Sequence, residues 1–70
     1  MDETEFELLG EIRGLAQQML RMDLWIREAY IRRKFVRVGE LVTQREGVRQ
    51  RRSDLMRDLF VLRYRRRVQV

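Results

Sequence analysis

Seventy residues make one domain at most, and a single core of that size supplies only a few kcal/mol, roughly 3 to 5 by area bookkeeping. The chain has no cysteine and no histidine, so disulfides and the usual zinc, haem and iron–sulfur ligand sets are excluded, and oligomerisation is the expected staple. The formal net charge is +5, with fifteen arginines and only Lys34 beside them, which points to phosphate or carboxylate partners because the guanidinium fork binds both two bonds at a time.

The charge is split along the chain. Residues 1–28 carry seven acids against Arg13, Arg21 and Arg27, whereas residues 29–70 carry thirteen bases against Glu40, Glu46, Asp54 and Asp58. A chain of this kind pairs antiparallel with itself or with a copy, or offers its basic half to a polyanion. An arginine-rich composition inherited from the genome would produce the same bias without any binding role.

The first element is a helix over about residues 4–38. Leu8, Ile12, Leu15, Met19, Met22, Ile26 and Ala29 alternate steps of four and three, the seam of a coiled coil or bundle helix. A second set, Leu9, Ala16, Leu20, Leu24, Trp25, Ile31 and Phe35, widens that seam and predicts more than one neighbouring helix. Arg32, Arg33, Lys34 and Arg37 suit the negative end of the helix dipole, and Gly39 stands where a left-handed cap would sit. A connection is therefore expected at about residues 39–43, with Thr43 and Glu46 spaced as a capping box for the restart. A basic linker ending at Ser53, or one unbroken helix, are the competing readings.

The second helix is expected over about residues 44–67, with a seam at Val48, Leu55, Leu59 and Leu62. Arg45, Arg49, Arg52, Arg63 and Arg67 fall within an arc of about 60° beside that seam. Such a row could follow phosphates, although helices also use arginine stems to cover apolar surface. The run Arg63, Tyr64, Arg65, Arg66 and Arg67 reads as a phosphate clamp, as a nuclear-import-like patch, or as the mate of the acidic amino-terminal segment in an antiparallel pair. In a hairpin turning near Gly39, Glu11 lies level with Arg67; in an antiparallel dimer of long helices, Glu5 sits near Arg66. The spacing of Trp25, Tyr30, Phe35, Phe60 and Tyr64 assigns these rings to core packing, with Trp25 and Tyr64 the most exposed.

The fold expected is all-α, a helical hairpin of two long helices forming a dimeric or tetrameric bundle or antiparallel coiled coil. Its core or oligomer interface comprises Leu8, Ile12, Leu15, Met19, Met22, Ile26, Leu55, Leu59 and Leu62. The function expected is nucleic-acid binding through Arg45, Arg49, Arg52, Arg63, Arg66 and Arg67, mainly by phosphate contacts and shape, with a duplex favoured and double-stranded RNA foremost. The alternative is a coiled-coil assembly or adaptor module without nucleic acid. No nucleophile system or phosphate loop is present in the sequence, so neither catalysis, a small-molecule substrate, a cofactor nor a metal is expected. The acidic start is unlike a targeting segment, and no run approaches the roughly 20 apolar residues of a membrane span, so an intracellular protein, cytoplasmic or nuclear, is the expectation. A basic amphipathic helix lying on an anionic membrane is the weakest of the readings.

Overall fold

A computed structural model describes residues 2–68 as two helices, α1 (Glu3–Ile31) and α2 (Phe35–Val68), folded against each other as an antiparallel hairpin. It is a rod, 56 Å long and 15 by 11 Å across.

Helix α1 starts where a side-chain acceptor is available. Asp2 is extended (φ −84°, ψ 170°) and its Oδ1 accepts from the Glu5 N–H at 2.8 Å, satisfying one of the orphan donors of the first turn. The helix ends in a Schellman turn. The Lys34 N–H donates to the Ala29 carbonyl at 2.9 Å and the Arg33 N–H to that of Tyr30 at 3.0 Å, while Arg33 takes the left-handed conformation with φ 59°. An L-residue there costs roughly 1 kcal/mol or more relative to a right-handed one. The two hydrogen bonds offset that cost, and an edge-to-face contact of the Tyr30 and Phe35 rings, 5.9 Å between centroids, braces the two helices across the turn.

The connection is thus three residues, Arg32 to Lys34, and not the expected segment 39–43, which lies inside α2. Gly39 is an ordinary helical residue here, since no described glycine has a positive φ. Thr43 does not cap a restart; its hydroxyl donates back to the Gly39 carbonyl at 3.0 Å, the mid-helix habit of threonine. Sequence reading missed the turn because the left-handed position is filled by arginine, where a glycine signal was sought.

Packing follows one register. The cross-helix pairs Asp2–Arg66, Glu5–Arg63 and Asp23–Arg45 are all centred on residue 34. Along α2, residues Val38, Leu41, Arg45, Val48, Arg52, Leu55, Leu59 and Leu62 are buried or half-buried at steps of three and four, so this seam is a heptad stripe with two arginines in it. Leu41, at 2% exposure, is the most buried residue of the described chain. On α1, Leu8, Ile12, Leu15, Met19, Met22, Ile26 and Ala29 face it, and Ile12, Leu55 and Leu59 form the tightest cluster, with Leu8, Leu9 and Leu15 packed against it. All nine residues expected in the core or interface are therefore buried or half-buried within one chain.

The aromatic expectation fails. Trp25, Tyr30, Phe35, Phe60 and Tyr64, with Phe6, are all between 50% and 70% exposed. Two helices bury only a narrow stripe on each, and the rings stand outside that stripe. Trp25 and Tyr64 are exposed, but they are not the most exposed of the rings, and Trp25 is the least.

Candidate nucleic-acid interface

The six arginines singled out in the sequence are divided by the hairpin into different roles. Arg45 lies in the seam, with its Nε 2.6 Å from Asp23 Oδ1, though out of line for a hydrogen bond. Arg52, one heptad on, is half-buried, and its Nε is sealed from solvent with no partner. Arg49 forks onto Glu46 one turn earlier in the same helix, its Nε 2.9 Å and 3.0 Å from the two carboxylate oxygens. Arg63 and Arg66 both reach across to Glu5, at 2.7 Å and 2.8 Å, and Arg66 also pairs with Asp2. Arg67 is exposed and has no carboxylate partner among the described residues.

Three of the six, Arg45, Arg63 and Arg66, therefore form a zipper between acidic α1 and basic α2. Its focus is Glu5, a carboxylate 6% exposed that takes both arginines at the open end of the rod. Sequence reading matched Arg66 with Glu5 only between two chains; the turn at residue 33 makes the same pair within one. Glu11 lies 3.9 Å from Arg51 and not level with Arg67, as a turn at Gly39 would have placed it.

The electrostatics follow from these contacts. Arg63, and then Arg66, hold the Glu5 carboxyl below its ordinary value of 4.5 against the opposing effect of burial. The Glu5 backbone N–H, followed by Arg66, lowers Asp2 from 3.8, and Arg49 lowers Glu46. A lowered carboxyl stabilises the fold fully above its unfolded value and loses that contribution as pH falls through its folded value. Thermal melts by circular dichroism should thus show a constant melting temperature from neutral pH down to about 4.5 and a fall below it. Glu5→Gln should lower the melting temperature at neutral pH and flatten the acid limb; an unchanged acid limb would mean the Glu5 cluster contributes nothing to folding.

What remains free on α2 is a mixed surface. Phe60, Arg63, Tyr64 and Arg67, of which Arg63 is already engaged by Glu5, line a depression of about 200 Å³ at helical spacing on one flank. Phe60 and Tyr64 are one turn apart and both largely exposed. The sequence contained this signal in the run from Phe60 to Arg67, but the nearby seam drew the two rings into the expected core. Arg65 also lacks a carboxylate partner among the described residues. A cleft of about 220 Å³ at the turn end is lined by Trp25, Glu28, Arg32, Lys34, Arg37 and others, but Arg32 is bound to Glu28 at 2.9 Å and Arg37 to Glu40 at 3.3 Å. Among the described residues no three of the types His, Cys, Asp and Glu are grouped to hold a metal, and no helix is long and apolar enough to cross a membrane.

Compared with protein-family models, curated proteins and solved structures, the chain matches none.

Proposed function

We propose that the hairpin binds nucleic acid through the outer flank of α2. The observation that carries this reading is the alternation of exposed rings and arginines, Phe60, Arg63, Tyr64 and Arg67, over two turns of one helix. Arginines there would contact phosphates, and rings at that spacing offer stacking platforms for bases. The surplus of base over acid supports the same reading, because the chain has five more cations than it can pair internally. Arg63 and Arg66 take part as anchors whose remaining N–H groups stay available beside Glu5, while Arg67 and Arg65 provide the free charge. Arg45 and Arg52 belong to the seam and serve the fold. Exposed rings have no role on the phosphate surface of a closed duplex, so the preference moves from a duplex towards strands with unpaired bases.

The test is fluorescence anisotropy with labelled single-stranded RNA, hairpin RNA and duplex DNA across a salt series. Binding should weaken steeply with salt, and Phe60→Ala with Tyr64→Ala should weaken it tenfold or more on the single strand, at about 1 kcal/mol or more per stacked base. Arg65→Ala with Arg67→Ala should lower the salt slope by about 1 to 2 on any strand. Duplex preferred over single strand, with no effect of removing the rings, would restore the shape-reading model. No binding to any strand at low salt would end the proposal.

The alternative, an assembly or adaptor module, is favoured by a different observation: Arg45, Arg63 and Arg66 are already engaged by Asp23, Glu5 and Asp2. Under that reading a protein surface takes the place of the strand on the same flank.

A further inference from the structure

The hairpin leaves a second apolar stripe on α1. Phe6, Leu9, Ala16, Leu20, Leu24 and Ile31 fall within an arc of about 80° at 100° per residue, some 125° around the helix from the seam that packs on α2. Phe6, Leu20, Leu24 and Ile31 are each about two-thirds exposed. A side chain of that size left in water forgoes about 1.5 to 3 kcal/mol of burial. Against this, only Ile12, Met22, Ala29, Leu41, Leu55 and Leu59 are buried apolar residues in the described hairpin. Six such residues make a thin core, and neither a disulfide nor a histidine–cysteine metal site reinforces it.

We propose that this stripe seats a second copy of the chain, with the two α1 helices antiparallel about a two-fold axis near Gln17, the middle of α1. Charge selects that occupant and that direction. The first half of α1 is acidic, with Glu3 on the flank of the stripe lacking an ion-pair partner among the described residues and Arg13 its one unpaired cation; the second half and the turn hold Arg21, Arg27, Arg33 and Lys34, likewise without a partner. Antiparallel pairing brings each acidic start beside the basic turn end of the other copy, whereas a parallel pairing would set two basic turns together. A two-fold contact is self-complementary, so one stripe serves both sides. Arg13 and Arg27, which lie in the stripe, can bury their stems along it and keep their guanidinium groups at the rim. An anionic bilayer is a poorer fit because Asp2, Glu3, Glu7 and Glu11 crowd the first half of the same helix. The result is a four-helix assembly with the two α2 helices on its outside. This goes beyond the nucleic-acid reading and does not depend on it.

The test is the mass in solution without nucleic acid, read by light scattering, together with directed cross-linking. The chain should run at twice 8.7 kDa, and Leu20→Glu with Leu24→Glu should bring it to 8.7 kDa. Should that variant lose its helical signal, cross-linking decides. The chain has no cysteine, so Gln17→Cys, at the edge of the stripe near the axis, should form an intermolecular disulfide on mild oxidation, and Gln18→Cys, on the opposite side of α1, should not. A mass of 8.7 kDa at every concentration, or equal cross-linking by both cysteine variants, would overturn the proposal. Monomeric protein that co-sediments with phosphatidylserine vesicles, and loses that property with Leu20→Glu and Leu24→Glu, would assign the stripe to a membrane surface and overturn it as well.

Discussion

Leu41→Asp is expected to unfold the hairpin. Leu41 is the most buried described residue, and aspartate there would forfeit the leucine's transfer energy, leave a cavity and bury a charge without a partner. The combined loss exceeds about 4 kcal/mol, as much as a core of this size supplies. Far-UV circular dichroism at neutral pH should show the helical signal lost or strongly reduced at room temperature, and Trp25, on the surface near the turn, gives an independent fluorescence signal. The same substitution separates two placements of the turn. In a connection at residues 39–43 an aspartate at position 41 would be solvated and would change stability by less than about 0.5 kcal/mol. Full retention of helix and melting temperature would therefore move the turn away from Arg32 to Lys34.

Arg52→Leu is expected to have a large effect of the opposite sign. Arg52 occupies a seam position of α2, and its Nε is buried without a hydrogen-bond partner. A buried N–H left without a partner costs about 1 to 3 kcal/mol, so a well-packed leucine at the same place should be the more stable occupant. At roughly 4 to 8 °C per kcal/mol for a domain of this size, the melting temperature should rise by about 5 °C or more. Arg45→Leu should gain less, because it also strands Asp23, which Arg45 holds at 2.6 Å. Under the proposed nucleic-acid reading, binding should be nearly unchanged by Arg52→Leu, since that side chain serves the seam. A melting temperature that stays the same or falls would show that the Arg52 head group is well bonded and that the seam needs it. The cost of the substitution should appear in specificity. Charged residues at seam positions discourage slipped and non-native pairings, so the leucine variant should associate more readily in competing registers.

Much of the site was hidden by one local event. The seam residues, the helical class and the acid-to-arginine polarity follow from spacing and charge, because helical periodicity is a property of the sequence alone. Position along the rod does not follow in the same way. A turn at Gly39 and a turn at Arg33 both satisfy the local rules, and they differ by about ten residues in which acid meets which arginine. Arg33 in the left-handed region carries no compositional flag, so the better global register was invisible until Leu41, Asp23 and Glu5 were seen to share it.

The sequence by itself determined that this chain is helical, that its apolar residues repeat at heptad spacing on two segments, and that the acids of one segment complement the arginines of the other. These are short-range properties, set by residue type and by intervals of three and four. Only the tertiary structure decided which arginines are free. Pairing two helices at one register consumed Arg45, Arg63 and Arg66 in cross-helix contacts, placed Arg52 inside the seam, and left Phe60, Tyr64 and Arg67 outside it. That partition depends on distances between residues up to 64 apart in the chain, and loop placement, not local propensity, fixes those distances.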